Sequence, residues 1–312
     1  MIRKIILFII LLLIIFAAYV LFLRKDLTLT QEYVKQKYAE PTSKFINWKG
    51  AELHYTESGT GFPILMIHGF GGSHKDFLPL DSLFNTNHRV IRVDLPGFAL
   101  SQFPYAETDT TNYLAAYNEY FNFLIDTLHL DSFYVMGNSL GGLMAWNLTL
   151  QHPDKVKKLV LLNSAGYDMR EVMKTANADR FRNPLLKTAL KKGIPKFMIA
   201  NGISRIFYDG STLTDAKIQR VSDFWNKAGN LKHILSMASS NQIIDQEKIK
   251  NIQIPTLIIW GKNDVIVDVK YADRFHQDIK NSKVQVYNNC GHVPMLEMTN
   301  SVYNDVQRFF NE

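Results

Sequence analysis

The chain has 312 residues, 46% hydrophobic and 12% aromatic, which is enough apolar material for a packed core and excludes a disordered chain. Its formal net charge is +6, with lysines scattered rather than in blocks, so no nucleic-acid surface is read from it. The single cysteine, Cys290, excludes an internal disulfide and a zinc–thiolate centre.

Residues 5–23 carry no charge, proline or glycine. A helix of that length extends about 28 Å, close to the ~30 Å hydrocarbon core of a bilayer. The run is longer than the apolar part of a signal peptide, and its only small pair, Ala17-Ala18, lies inside it. The expectation is an uncleaved transmembrane anchor over residues 1–24. Arg3 and Lys4 precede it, which predicts a cytoplasmic N-terminus and a globular part on the periplasmic or extracellular side. Residues 25–43 read as a polar, partly helical tether.

From residue 44 onward, strand-type and helix-type stretches alternate. Phe45–Trp48 and Ala51–Tyr55 flank Lys49-Gly50 and predict a hairpin. Pro63–Ile67 and Arg89–Val93 are apolar runs of the buried-strand type. Residues 109–129 have helical spacing, with Tyr113, Ala116, Tyr117, Tyr120, Phe121, Leu124, Ile125 and Leu128 on one face. Further strands are expected at 133–138, 156–162, 255–259 and 283–287, with a closing helix over 300–310. This alternation predicts a mostly parallel sheet with helices on both faces and a site at the carboxyl ends of the strands. The expected layout is a core in two parts, 44–166 and 251–312, with an inserted helical cap over 167–250. That interval is too long for a structureless loop. Within it, Lys187, Lys191, Lys192 and Lys196 interleave with apolar residues as a basic amphipathic segment.

Gly137-Asn138-Ser139-Leu140-Gly141 joins a predicted strand to a predicted helix. In that context the pattern marks a nucleophile held on a sharp turn, with its hydroxyl exposed over the helix N-terminus. A serine needs a base to remove its proton and a carboxylate to orient the base. Asp264 follows the strand at 257–259 and His292 follows the strand at 284–287, so Ser139, Asp264 and His292 are the expected catalytic residues, with Asp268 the competing acid. His68-Gly69-Phe70-Gly71-Gly72 follows the third strand, and the backbone N–H groups of Phe70 and Leu140 are the expected oxyanion donors. His68 is read as a brace of this loop, Asp94 as a brace of the turn at Pro96-Gly97, and Glu297 as a cap or partner near the last helix. His54, His74, His88, His129, His152 and His276 are read as surface or capping residues. No metal or cofactor is expected, and Gly69, Gly71 and Gly72 lack the Lys-Ser/Thr pair of a phosphate loop.

Together these segments, with Asp94-Leu95-Pro96-Gly97-Phe98-Ala99-Leu100-Ser101, Trp260-Gly261-Lys262-Asn263-Asp264 and Gly291-His292, resemble the α/β-hydrolase superfamily over roughly residues 44–312. Within it the chain is most similar to capped bacterial lipases and esterases, and to hydrolases that cleave carbon–carbon bonds in ring-opened aromatic diketones. Ser139 argues against dehalogenases and epoxide hydrolases, which carry an aspartate nucleophile; cofactor-free haloperoxidases share the serine triad. Where members often have Gly or Ser after the Pro-Gly turn, this chain has Phe98-Ala99-Leu100-Ser101.

The resemblance implies a serine hydrolase acting on small hydrophobic carboxylic esters through an acyl-enzyme. The first alternative is a carbon–carbon bond hydrolase, for which Arg180, Arg182 and Arg205 in the cap are candidate clamps for a substrate carboxylate. A non-catalytic binding protein with this fold is the third reading.

Overall fold

The computed structural model describes residues 2–22, 26–104, 112–167, 183–238, 240 and 244–312. The helices are α1 (Ile2–Phe22), α2 (Gln31–Tyr38), α3 (Leu78–Phe84), α4 (Tyr113–Thr127), α5 (Leu140–Gln151), α6 (Pro184–Leu190), α7 (Lys196–Ser204), α8 (Asp215–Trp225), α9 (Asn230–Ala238), α10 (Lys270–Asp278), α11 (Pro294–Glu297) and α12 (Thr299–Asn311). The strands are β1 (Ser43–Trp48), β2 (Ala51–Ser58), β3 (Phe62–Ile67), β4 (His88–Val93), β5 (Phe133–Asn138), β6 (Val156–Leu162), β7 (Thr256–Gly261) and β8 (Ser282–Tyr287).

These strands form one eight-stranded sheet in the order β1-β2-β4-β3-β5-β6-β7-β8. β2 pairs antiparallel with β1 and β4, and every other pair is parallel. The β1–β2 hairpin turns through Lys49 at φ 52° and Gly50 at φ 80°. Two successive positive φ values match the right-handed twist of the flanking strands.

Successive side chains of a strand face opposite sides, and both sides are apolar here. Leu65 and Ile67 of β3 pack in one cluster with Tyr117 and Phe121 of α4, Trp146 of α5 and Phe275 of α10. Ile64 and Met66 pack in the other with Leu80 and Phe84 of α3 and Val302 and Val306 of α12. Between β6 and β7 come α6 to α9, whose Leu190, Ile199, Ile203, Leu231 and Leu235 form a separate small core with Ile194 of the α6–α7 connection. The basic amphipathic stretch is broken there: α6 and α7 are separate helices, with Gly193 at φ 108° between them. Met169, Val172, Met173, Arg180, Phe181 and Arg182, read as part of the cap, lie outside the described residues.

The expected membrane span is corrected. Among the described residues no helix is long and apolar enough to cross a membrane. The anchor and the non-cytoplasmic location inferred from it are withdrawn. Residues 26–38 do not hang as a free tether. Leu27 N–H donates to Lys192 O at 2.7 Å, Leu29 N–H to Asn226 O at 2.9 Å, and Ala228 N–H to Leu29 O at 2.8 Å. Asp223 of α8 accepts from Lys37 Nζ at 2.7 Å and Tyr38 Oη at 2.6 Å.

Candidate active site

Ser139 sits between β5 and α5 with φ 53° and ψ −115°. A residue with a Cβ adopts that backbone only when its surroundings compel it. Three backbone bonds do so: Ser139 N–H donates to Leu162 O at 3.0 Å, and its carbonyl accepts from Leu143 N–H at 3.1 Å and Ala165 N–H at 3.0 Å. The turn leaves no space for side chains on either flank. A Cβ on Gly137 would lie 2.1 Å from Gly141 O, and one on Gly141 would lie 2.0 Å from Ile67 O. The Ser139 side chain makes no capping bond to α5. It stands instead at the positive end of that helix.

Asp264 and His292 meet beside this turn. Asp264 Oδ2 lies 2.7 Å from His292 Nδ1 and accepts from Asn163 Nδ2 at 2.6 Å. Its Oδ1 accepts from the N–H groups of Ile266 at 2.7 Å and Val267 at 3.0 Å. With the carboxylate accepting, Nδ1 carries the proton and His292 Nε2 keeps the lone pair that a general base needs. Asp268 does not compete: it is exposed, accepts from Lys270 N–H at 2.9 Å and pairs with Lys270 Nζ at 3.9 Å.

The backbone of His292 is held from two sides. Asn138 Nδ2 donates to His292 O at 3.0 Å and to Leu162 O at 3.1 Å, which ties the residue before Ser139 to the histidine loop. His292 N–H donates to Ile206 O of the cap at 2.7 Å. Glu297 accepts from Gly291 N–H at 2.8 Å and Tyr208 N–H at 2.6 Å, so it fastens the histidine loop to the cap rather than pairing near the last helix. Burial raises its carboxyl above the usual range, although these two N–H bonds oppose the shift. Sequence reasoning did not find Asn163. It stands at the end of β6, where site residues gather in such sheets, at φ 43°.

Phe70 lies in a β-turn closed by Gly72 N–H donating to Gly69 O at 3.1 Å. Gly71 takes φ 71°, a conformation glycine adopts without strain. A Cβ on Gly69 would lie 3.2 Å from Ser139 Cβ, so the turn rests against the serine. Beneath it, His68 Nε2 accepts from Leu95 N–H at 3.0 Å, which leaves Nδ1 to donate to Gly69 O at 2.7 Å. Leu140, the other expected donor, is the first residue of α5.

The reading of His54 and His74 as surface or capping residues is corrected, since both are fully buried. Asp94 Oδ2 lies 2.7 Å from His54 Nδ1, and Asp94 Oδ1 lies 2.9 Å from His74 Nδ1. Asp94 also accepts from the N–H groups of His74 at 2.7 Å and Leu100 at 3.1 Å, the second bond bracing the loop after Pro96-Gly97. In that loop Ala99 takes φ 43°. Burial opposes ionisation of Asp94, but the two histidines outweigh it and hold its carboxyl well below the usual range. Burial lowers His74 to about 4. The donor atoms of His54, His74 and Asp94 lie within 4.8 Å of one another, close enough to hold a metal ion. Both Nδ1 atoms already hydrogen-bond Asp94, however, and the cations of Arg92 and Lys227 act on the same cluster. The arrangement is that of a buried polar network. His88, also read as a surface or capping residue, is buried.

Comparison with known proteins agrees with this architecture. A family model for the alpha/beta hydrolase fold matches residues 63–299. A 2-hydroxy-6-oxononadienedioate/2-hydroxy-6-oxononatrienedioate hydrolase of Pseudomonas putida is 30% identical over 265 residues, covering 80% of this chain and 90% of that protein. Lipase 3 of Moraxella sp. (strain TA144) is 28% identical over 264 residues, covering 83% and 81%. The solved meta-cleavage product hydrolase of Pseudomonas fluorescens IP01 superposes with a TM-score of 0.73 at 24% identity, covering 86% of this chain and 97% of that one, a likeness of fold alone. With the matched segment running from β3 to the start of α12, the chain belongs to the α/β-hydrolase family and is a hydrolase.

Proposed function

We propose that this hydrolase cleaves a carbon–carbon bond in a ring-opened aromatic diketone, rather than the carboxylic esters expected from the sequence. The observation that carries this reading is the 30% identity, over 80% of the chain, to a hydrolase of 2-hydroxy-6-oxo dienedioates. Ser139 is the nucleophile, His292 the base and Asp264 its orienter. His292 Nε2 takes the Ser139 proton as Oγ adds to the ketone carbonyl, and the N–H groups of Phe70 and Leu140 receive the oxyanion. The carbon–carbon bond then breaks, its electron pair passing into the conjugated enone, and His292 returns the proton to the departing fragment. Water repeats the attack on the acyl-enzyme and releases a carboxylic acid, restoring Ser139.

Such substrates carry a carboxylate, which a guanidinium matches. Arg180 and Arg182 lie outside the described residues, and Arg205 is exposed at the end of α7. Arg220 of α8 supports the reading better. Its Nε is buried with no hydrogen-bond partner among the described residues. Its charge acts on Asp76, whose Oδ2 lies where a Cβ on Gly72 of the oxyanion loop would fall.

Ester hydrolysis is the second reading. It is favoured by the likeness to Lipase 3 and by the aromatic surround of the loop, where Phe70 lies 5.6 Å from Phe98 and 6.3 Å from Trp225 between ring centroids. The test is turnover of a 2-hydroxy-6-oxo-dienoate and of p-nitrophenyl esters by the parent and by Ser139→Ala. Diketone cleavage at a kcat/KM at least tenfold above any ester, lost in Ser139→Ala, supports the proposal. Ester turnover alone installs the second reading. Equal activity of the two proteins overturns both.

A further inference from the structure

Trp225 ends α8 and belongs to the cap, yet its indole N–H donates to Gly71 O at 2.8 Å. Gly71 follows Phe70, whose backbone N–H is a proposed oxyanion donor. The fit is close: a Cβ on Gly71 would lie 2.5 Å from Trp225 Cζ2, and the rings of Phe70 and Trp225 meet edge to face at 6.3 Å. Among the described residues, the other hydrogen bonds within this loop end at the Gly69 carbonyl. Its own turn bond, Gly72 N–H to Gly69 O, is 3.1 Å long, and His68 holds only the Gly69 carbonyl from below.

The residues just C-terminal to Trp225 hold the segment that carries it. Asn226 Oδ1 accepts from Ile194 N–H at 2.6 Å, and Asn226 Nδ2 donates to Ile194 O at 3.0 Å. Lys227 Nζ donates to Ser101 O at 2.9 Å and Gln31 Oε1 at 2.6 Å. Asn230 Nδ2 donates to Ala99 O at 2.9 Å. The cap segment carrying Trp225 is thus fastened to the core loop 99–101 and to Gln31 of α2, and Trp225 passes that fixed position on to the oxyanion turn.

We propose that Trp225 is a positioning residue: through Gly71 it aims the Phe70 N–H at the developing oxyanion, so that the seated cap completes the oxyanion hole. This rests on the reading of Ser139 and Phe70 given above. A donor must lie ~2.7–3.1 Å from the oxyanion's position, not the ground-state carbonyl's, so loosening it affects the transition state more than substrate binding.

The experiment compares full-length parent, Trp225→Phe and Trp225→His on whichever substrate the parent turns over. It also measures inhibition by an alkylboronic acid, whose tetrahedral adduct with serine places an oxygen in the hole. Trp225→Phe keeps a ring and loses the donor. The expected result is a kcat lower by about tenfold, less than the ~10²–10³-fold cost of deleting a donor outright. KM should stay within about twofold and boronate affinity should fall in parallel with kcat. Trp225→His, which restores a ring N–H, should recover part of both. If Trp225→Phe fails to fold, Trp225→Leu, which likewise has no donor, carries the same expectation. An unchanged kcat and boronate affinity overturns the proposal, and so does a loss confined to KM. A parent that turns over neither substrate class and binds no boronate overturns the reading of the site itself, and the inference with it.

Discussion

His292 Nδ1 and Asp264 Oδ2 lie 2.7 Å apart although the two residues are separated by 28 positions. They leave the sheet from neighbouring strands, β7 and β8, paired in parallel with Gly261 opposite Tyr287. Parallel pairing puts the carboxyl ends of both strands on one edge, so the loops after them meet. β5 ends on the same edge, which delivers Ser139 to the pair.

Ser139→Ala is expected to lower kcat at least ~10³-fold while leaving the melting temperature within a few degrees of the parent. The hydroxyl makes no capping bond to α5, and alanine meets the same backbone at φ 53°. Turnover and thermal unfolding measured on the same preparations check this.

Asp264→Asn is expected to cost about 10⁴ in kcat with little change in melting, because an amide at this position no longer fixes the productive imidazole tautomer. Asp268→Asn should leave kcat within about twofold, since Asp268 faces solvent and Lys270. Steady-state kinetics on the two variants side by side decide which acid serves His292.

Lys227 is fully buried, and burial lowers its ammonium from 10.5 to about 7, against the pull of Asp94 and Glu52. Between pH 7 and 10.5 the unfolded chain therefore binds more protons at this residue than the folded chain does. Its contribution to stability rises with pH across that window and is least favourable below about 7. Lys227→Met is expected to flatten this rise. Urea-unfolding midpoints of parent and variant at pH 7 and pH 9.5 test it, and parallel pH profiles would count against a buried, titrating ammonium.

His233 is enclosed by Phe98, Phe103, Tyr113 and Tyr117, and burial lowers it from 6.5 to about 3. The unfolded chain takes up a proton here as pH falls below 6.5, while the folded chain stays neutral until about 3. Stability should therefore fall progressively across that range. His233→Phe is expected to lose less stability than the parent between pH 7 and pH 4.5, measured by unfolding midpoints. An equal loss would show that other groups carry the acid sensitivity.

Much of the site was legible before folding because its decisive segments are local. Strand, glycine-flanked serine and helix are contiguous between Phe133 and Gln151, so the strained turn is written in adjacent residues. The glycines at 69, 71 and 72 likewise announce a backbone that something approaches closely. The rest depends on contacts that no local pattern records. Asn163 reaches Asp264 across 101 positions, and Trp225 reaches Gly71 across 154. The burial of His54 and His74 was missed for the same reason: Asp94, their common partner, is 40 and 20 positions away.

The sequence by itself determined the family and the eight-stranded α/β sheet, and it put forward Ser139, Asp264 and His292 as candidates, because periodicity and turn chemistry act over a few neighbouring positions. It also led to two expectations that changed: the membrane anchor is overturned, and the ester substrate gives way to the carbon–carbon bond reading that the relatives favour. Only the tertiary structure decided which acid faces His292, which amides fasten the loops, and that Trp225 bonds the turn at Gly71. Those choices are made by side chains meeting across the packed strand ends, where distance along the chain no longer measures distance in space.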